Sequence, residues 1–314
     1  MKKPFRTSIG GQALLEGVMM RGPSGYAAVV RTPEGLTVLE KEVPFLKEKC
    51  KIFGWVFIRG VCNFIQSMAI GMKTLFWSAD QVEIEEATED KPAKKGLGKG
   101  LFALTGLIAI VMVVGLFTVL PTYVGGLLSS RFDWYADSGF ARNAAETGLR
   151  LIILFLYMVL ASQTKDIKRT FGYHGAEHKA IATYEAGEEL TVENVRKRPR
   201  FHPRCGTSFL LTVVFVSMVA FLLVSIPLQA WELSNTFVRA AIRLSLLPIV
   251  IAISYEINRL IGRTDNVFSK VFRAPGIAMQ RITTNEPDDE MIEVAIDALQ
   301  RVVPKEEASD KWGA

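Results

Sequence analysis

Histidine and cysteine are scarce in this chain of 314 residues, with three of each. Cys50, Cys62 and Cys205 are odd in number and share no spacing pattern. That excludes the disulfide framework of a small secreted domain and leaves free thiols or a metal ligand in a reducing compartment. A phosphate-binding loop is also lacking, because Gly10-Gly11 is followed by no Lys-Ser/Thr ending and is not set between a strand and a helix. No short apolar core lies near the start, so no cleaved secretory signal is expected and the first spanning helix should stay in place.

Apolar sequence is plentiful. The composition is 49% hydrophobic, and the clearest runs cover 101–128, 149–161, 208–228 and 244–257. The first and third exceed the roughly 20 residues that cross a bilayer. The expected fold is therefore an α-helical integral membrane protein of about four transmembrane helices plus an interfacial helix, with a small α+β cytosolic layer. Few charges fall inside the runs, Glu256 apart, which argues against ion conduction.

In chain order, residues 1–50 are expected to form a cytosolic segment with a β-hairpin, because Thr32-Pro33-Glu34-Gly35 is a turn sequence between β-branched runs. Glycines at 10, 11, 17, 22 and 25 suggest close backbone approach or positive φ ahead of it. Residues 51–78 are apolar but carry Arg59, Asn63, Gln66 and Lys73, polar groups costly in lipid, so this segment is expected to be interfacial or re-entrant. A solvated linker at 79–100 leads to spans at 101–128 and 149–163. Pro121 and Gly125-Gly126 are expected to break the last turn of the first span. A cytosolic loop at 164–207 leads to spans at 208–228 and 244–261. The segment 262–314 should hold an amphipathic helix from about 288 to 303, opened by acidic residues and apolar along one face.

Basic residues orient the chain. Lys91, Lys94, Lys95 and Lys99 precede the first span. Lys165, Lys168, Arg169, Lys179, Arg196, Lys197, Arg198, Arg200 and Arg204 lie between the second and third. The opposite loops are poorer, which places both termini and the 164–207 loop on the cytosolic side of a bacterial cell membrane. The formal net charge of +5 is thus an orientation signal, and no sequence-specific nucleic acid is expected. Membrane lipids are the expected partners, with Lys165–Arg169 near anionic headgroups. A protein partner at the cytosolic face, such as a nascent chain or ribosome, fits the same charge.

Two of the three histidines stand in Tyr173-His174-Gly175-Ala176-Glu177-His178, and the third opens His202-Pro203-Arg204-Cys205. On a helix His174 and His178 share a face, so two ring nitrogens can converge on one divalent ion, zinc by ligand type, with Glu177 beside them. The order His-x-x-Glu-His is the inverted zincin motif, in which the glutamate handles the proton of a water. Three arrangements follow. His174 and His178 with one of His202, Cys205 or Glu256 make a catalytic zinc site with Glu177 as general base; His174, His178, His202 and Cys205 make a closed structural site; or the histidines are hydrogen-bonded core residues without metal. Glu256, at the foot of the fourth span, is a further candidate unless Arg259 or Arg263 neutralises it. Glu16, in the Gly-rich segment, is another unless Arg21 pairs with it.

Four stretches carry a resemblance: Gly-Gly-Gln-Ala-Leu-Leu-Glu-Gly-Val-Met-Met-Arg at 10–21, Tyr-His-Gly-Ala-Glu-His-Lys-Ala at 173–180, His-Pro-Arg-Cys-Gly-Thr-Ser at 202–208 and Thr-Thr-Asn-Glu-Pro-Asp-Asp-Glu at 283–290. With them the chain resembles the YqhQ-like family of uncharacterised bacterial membrane proteins, described as predicted metal-dependent enzymes. The resemblance implies a metal at His174, Glu177, His178, His202 and Cys205. Near position 66 that family tends to carry a glutamate, whereas this chain has Gln66, which offers no carboxylate.

Overall fold

The computed structural model describes residues 5–44, 50–85, 99–230, 236–264, 266–304 and 310. Four antiparallel strands, β1 (Gly10–Leu14), β2 (Gly17–Arg21), β3 (Gly25–Thr32) and β4 (Gly35–Glu42), pair in chain order. The expected hairpin is β3–β4, closed by Thr32 opposite Gly35. The Gly-rich stretch before it is a second hairpin, β1–β2, with Leu14 opposite Gly17 and Glu16 at φ 49° in its turn.

Both faces of β2 and β3 are covered, so these strands read as nearly continuous apolar sequence and not as alternation. Val18, Met20, Ala27 and Val29 pack on two helices described below, whereas Met19, Tyr26, Ala28 and Val30 pack with Ile70. Ile70 belongs to α1 (Ile58–Glu85), which follows a 3-10 turn at Lys51–Gly54.

Four helical stretches are long and apolar enough to cross a membrane: Gly106–Ser129, Gly139–Ala161, Gly206–Val224 and Ala241–Arg263. The chain is thus a multi-pass membrane protein. α1 is not among the four, its apolar run being interrupted by Arg59, Asn63, Gln66 and Lys73. The linker expected at 79–100 lies largely outside the described residues, which omit 86–98.

The first stretch combines α2 (Lys99–Val114), a π-helical turn at Gly115–Val119 and α3 (Leu120–Ser129). Pro121 and Gly125-Gly126 do not break it, contrary to expectation. Pro121 has no N–H to give the Phe117 carbonyl four residues back, and Arg150 Nε donates to that oxygen at 2.9 Å instead. After a short α4 (Asp133–Asp137), α5 (Gly139–Ala161) starts ten residues before the span read at 149–163.

The reason lies in charges that the bundle neutralises. Glu146 of α5 has a fully buried side chain and pairs with Arg243 at 2.5 Å and with Arg150 at 3.4 Å. Arg243 also donates to Thr122 Oγ1 at 3.1 Å and lies over the Phe221 ring. Asn143 Nδ2 donates to the Met218 carbonyl at 2.6 Å. The inner parts of the spans are therefore not charge-poor apart from Glu256. A carboxylate and two guanidiniums tie all four stretches together at the end of the bundle remote from the histidines.

Beyond the second stretch come α6 (Lys165–Glu185) and α7 (Val192–Arg196), then α8 (Gly206–Ala230) and α9 (Thr236–Arg263), which carry the third and fourth. Two more helices end the fold, α10 (Val267–Thr283) and α11 (Asp289–Val302). α11 starts where its acidic residues predict, with Asp288 accepting from the Met291 amide at 2.8 Å as N-cap. Its apolar face, including Ile292, Ala295 and Leu299, meets Tyr173, Ala176 and Ala180 of α6 against the sheet. The layer of hairpins, 164–207 segment and C-terminal helix is present as one packed core.

Candidate metal site

α6 places His174, Glu177 and His178 on one side, with Glu177 and His178 buried and His174 partly so. His174 Nδ1 lies 2.8 Å from the Thr283 carbonyl and His178 Nδ1 lies 2.6 Å from the Arg200 carbonyl. A carbonyl oxygen only accepts, so in each neutral ring the proton sits on Nδ1 and Nε2 carries a bare lone pair. Such backing of the outer nitrogen is what orients metal-ligating imidazoles. His174 Nε2 is 3.2 Å from Cys205 Sγ, whereas His178 Nε2 is buried with no hydrogen-bond partner. The ligand atoms of His174, His178 and Cys205 all lie within 4.8 Å of one another. A buried lone pair without a donor is costly, and a cation among the three relieves it. The donor set fits zinc.

Glu177 is also buried, with Oε2 3.8 Å from His174 Nε2. Burial raises its pKa, while His174 and the hydrogen bond from the Gly11 amide pull it back down. Gly11 has to lack a side chain here, since a Cβ would stand 2.8 Å from Glu177 Cγ. The Gly-rich hairpin therefore forms the wall behind Glu177.

Cys205 arrives from a different part of the chain, in the turn from His202 to Cys205 just before α8. Gln280 of α10 clamps this turn, accepting from the His202 amide and donating to its carbonyl, both at 2.8 Å. α10 approaches the start of α8 so closely that a Cβ on Gly276 would lie 2.8 Å from Ser208 Cα. The same helix supplies the Thr283 carbonyl, so α10 positions both His174 and the cysteine turn.

His202 lies beside the three-residue group and is not part of it. Its ring centroid is 5.6 Å from that of His178, and its Nε2 is turned to Glu185 at 3.5 Å. Burial brings its pKa down to about 4 against the opposing pull of Glu185, with Arg204 and His178 lowering it further, so the ring is neutral at pH 7. Glu256 stands apart, held by a forked pair from Arg59 of α1 at 2.7 and 2.5 Å, with Arg259, one of the two arginines expected, near enough to act on it electrostatically. Glu16 accepts a fork from Arg169 at 2.6 and 2.5 Å and a hydrogen bond from the Tyr173 hydroxyl at 3.2 Å. Arg21 instead reaches Gln66 and Ser67.

Comparison with known proteins places the chain in a family. A family model described as a protein of unknown function, DUF1385, matches residues 55–305. The chain belongs to that family. A protein of Bacillus subtilis (strain 168) named uncharacterized protein YqhQ is 34% identical over 313 residues, covering 96% of this chain and 94% of the relative. The resemblance read from the four motifs is thereby confirmed. No solved structure matches the chain.

The residues that sequence reasoning missed act mostly through the backbone. Thr283 and Arg200 contribute carbonyls, which leave no side-chain signal. Gln280 left none either, because it shares the polar side of amphipathic α10 with Ser269, Arg273 and Thr283, and only the fold buries that side. Gly175 is a further positioning residue, because a Cβ there would overlap the Asn285 carbonyl oxygen and come within 3.4 Å of Pro287 Cδ. Gly175→Ala is expected to destabilise the fold by about 1–3 kcal/mol through overpacking and to weaken metal binding by displacing the Thr283 carbonyl. Thermal unfolding and chelator competition on the same sample check both effects.

Proposed function

We propose that this family member binds zinc at the cytosolic surface of a bacterial cell membrane through His174, His178 and Cys205, and uses it in hydrolysis with Glu177 as general base. The observation that carries the reading is the buried, partnerless Nε2 of His178 beside His174 Nε2 and Cys205 Sγ. Three protein ligands leave a position open to water, as hydrolytic zinc sites do. When bound, the ion supplies Lewis acidity and brings the pKa of a water toward about 7.

The chain's own residues supply the rest. Glu177, pressed against Gly11 and shielded from solvent, is placed to take a proton at its carboxylate and return it to a leaving group. The Thr283 and Arg200 carbonyls hold both imidazoles in the ligating tautomer. The cytosolic orientation rests on the basic residues that flank the spans.

A second reading, a non-enzymatic scaffold or an insertion or transport factor with structural zinc, draws on His202. Its ring is close enough to His178 that a turn away from Glu185 would supply a fourth ligand and close the site. X-ray absorption on full-length protein purified in detergent without chelators separates the readings. One sulfur, two imidazoles and a further oxygen ligand support the catalytic site. One sulfur with three imidazoles supports the closed one, and metal-free protein removes both.

A further inference from the structure

Most of the positive charge between the second and third spans is spent inside the fold. Of the nine basic residues there, seven meet carboxylates: Arg169 with Glu16, Lys179 and Arg200 with Glu286, Arg196 with Asp289, Lys197 with Glu193, Arg198 with Glu188 and Arg204 with Glu185. Among the described residues, Lys165 and Lys168 have no ion-pair partner, and neither does Arg281 in the last turn of α10.

Lys168 and Arg281 line one cleft of about 390 Å³, within the range of about 300–1,000 Å³ typical of ligand pockets. Among the described residues, no carboxylate lines it. Val159 comes from the final turn of the span Gly139–Ala161, and Ser162 and Gln163 follow directly, so the cleft opens where this helix leaves the apolar layer. α6 begins at the same place. Its N-cap residue Thr164 donates its hydroxyl to the Ala161 carbonyl at 3.0 Å and caps no amide, so the N–H groups of the first turn add to the positive field.

From these observations we infer that the cleft seats the phosphate of an anionic phospholipid headgroup, with Lys168 and Arg281 as its cations and Val159 and Ile282 against the glycerol and first acyl carbons. Two cations with no counter-charge inside the cleft call for an anion. The apolar wall and the position at the end of a span select a lipid over a free ion. Asn285, which also lines the cleft, binds α6 through the Lys168 and Phe171 carbonyls at 3.0 and 2.8 Å, two residues beyond the Thr283 carbonyl that holds His174. A seated headgroup thus rests against the segment that orients the metal site. The inference goes beyond the zinc reading and does not depend on it.

Native mass spectrometry of the full chain in detergent tests this, with phosphatidylglycerol, phosphatidylcholine and inorganic phosphate as probes. Phosphatidylglycerol should be retained over phosphatidylcholine, and inorganic phosphate at equal concentration should not displace it. Lys168→Gln and Arg281→Gln should each weaken retention about 5-fold and the double variant about 25-fold, as expected for one basic residue each near a lipid surface. Lys168→Arg should keep it. Equal retention of the two lipids, an unaffected double variant, or inorganic phosphate binding as tightly as phosphatidylglycerol would each overturn the assignment.

Discussion

Cys205→Ser is expected to lower zinc affinity by more than the roughly 10–100-fold that loss of an outer-shell partner costs. Serine keeps the size of the side chain but removes the thiolate, the only sulfur among the three converging ligand atoms. His178→Ala should have an effect of the same order. The other two ligands would remain well oriented, because the Thr283 carbonyl still fixes His174, so the loss reports ligation and not collapse of the site. Chelator competition with a coloured zinc indicator reads the change. Glu177→Gln serves as the contrast: it should leave the zinc in place and abolish turnover of any substrate the wild type hydrolyses. Metal loss in that variant would make Glu177 a ligand. His202→Ala separates the two proposed readings, leaving affinity nearly unchanged for a three-ligand site and lowering it steeply for a closed one.

The second large effect is expected in the membrane-spanning bundle. Glu146→Gln should destabilise the protein by about 3–5 kcal/mol, the usual cost of removing one partner from a buried ion pair. The substituted amide would offer the two guanidiniums one neutral oxygen in place of a carboxylate, which leaves their charge uncompensated beside Thr122, the Phe221 ring and the Phe117 carbonyl. Reversible unfolding in mixed detergent micelles measures the loss. A change below about 1 kcal/mol, the scale of an ordinary hydrogen bond, would show that the arginines find other acceptors. Adding Arg243→Met should recover part of the loss, because the uncompensated charge goes with it. The metal content should be unaffected, since the cluster and the histidines lie at opposite ends of the bundle.

The contrast between these two regions shows what could be read locally. His174 and His178 stand four residues apart, and the helical repeat alone puts them on one face. Apolar run length marked four crossings, and the acidic start of α11 announced its cap. The charged cluster was not legible in the same way. Glu146 truncated the apparent second span because hydropathy counts each charge alone, whereas the bundle neutralises it with Arg150 and Arg243. Similarly β2 was hidden, since burial on both faces erases the period-two signal, and β1 pairs with it through a stretch that opens on two glycines.

The sequence by itself determined the kinds of group available: two imidazoles one helical turn apart, a carboxylate beside them, a thiol in a short turn before a span, and enough apolar length to anchor them to a membrane. Only the tertiary structure decided which of them meet. α10 brings the Thr283 carbonyl to His174 and the Gln280 clamp to the His202–Cys205 turn, which sets Cys205 against the imidazoles and turns His202 toward Glu185. Glu256 and Glu16 are taken up by Arg59 and Arg169. Helical and strand periodicities are local and printed in the chain. Contacts between segments from 31 to 197 residues apart depend on packing, because any of several donors of the right type could have filled the same position.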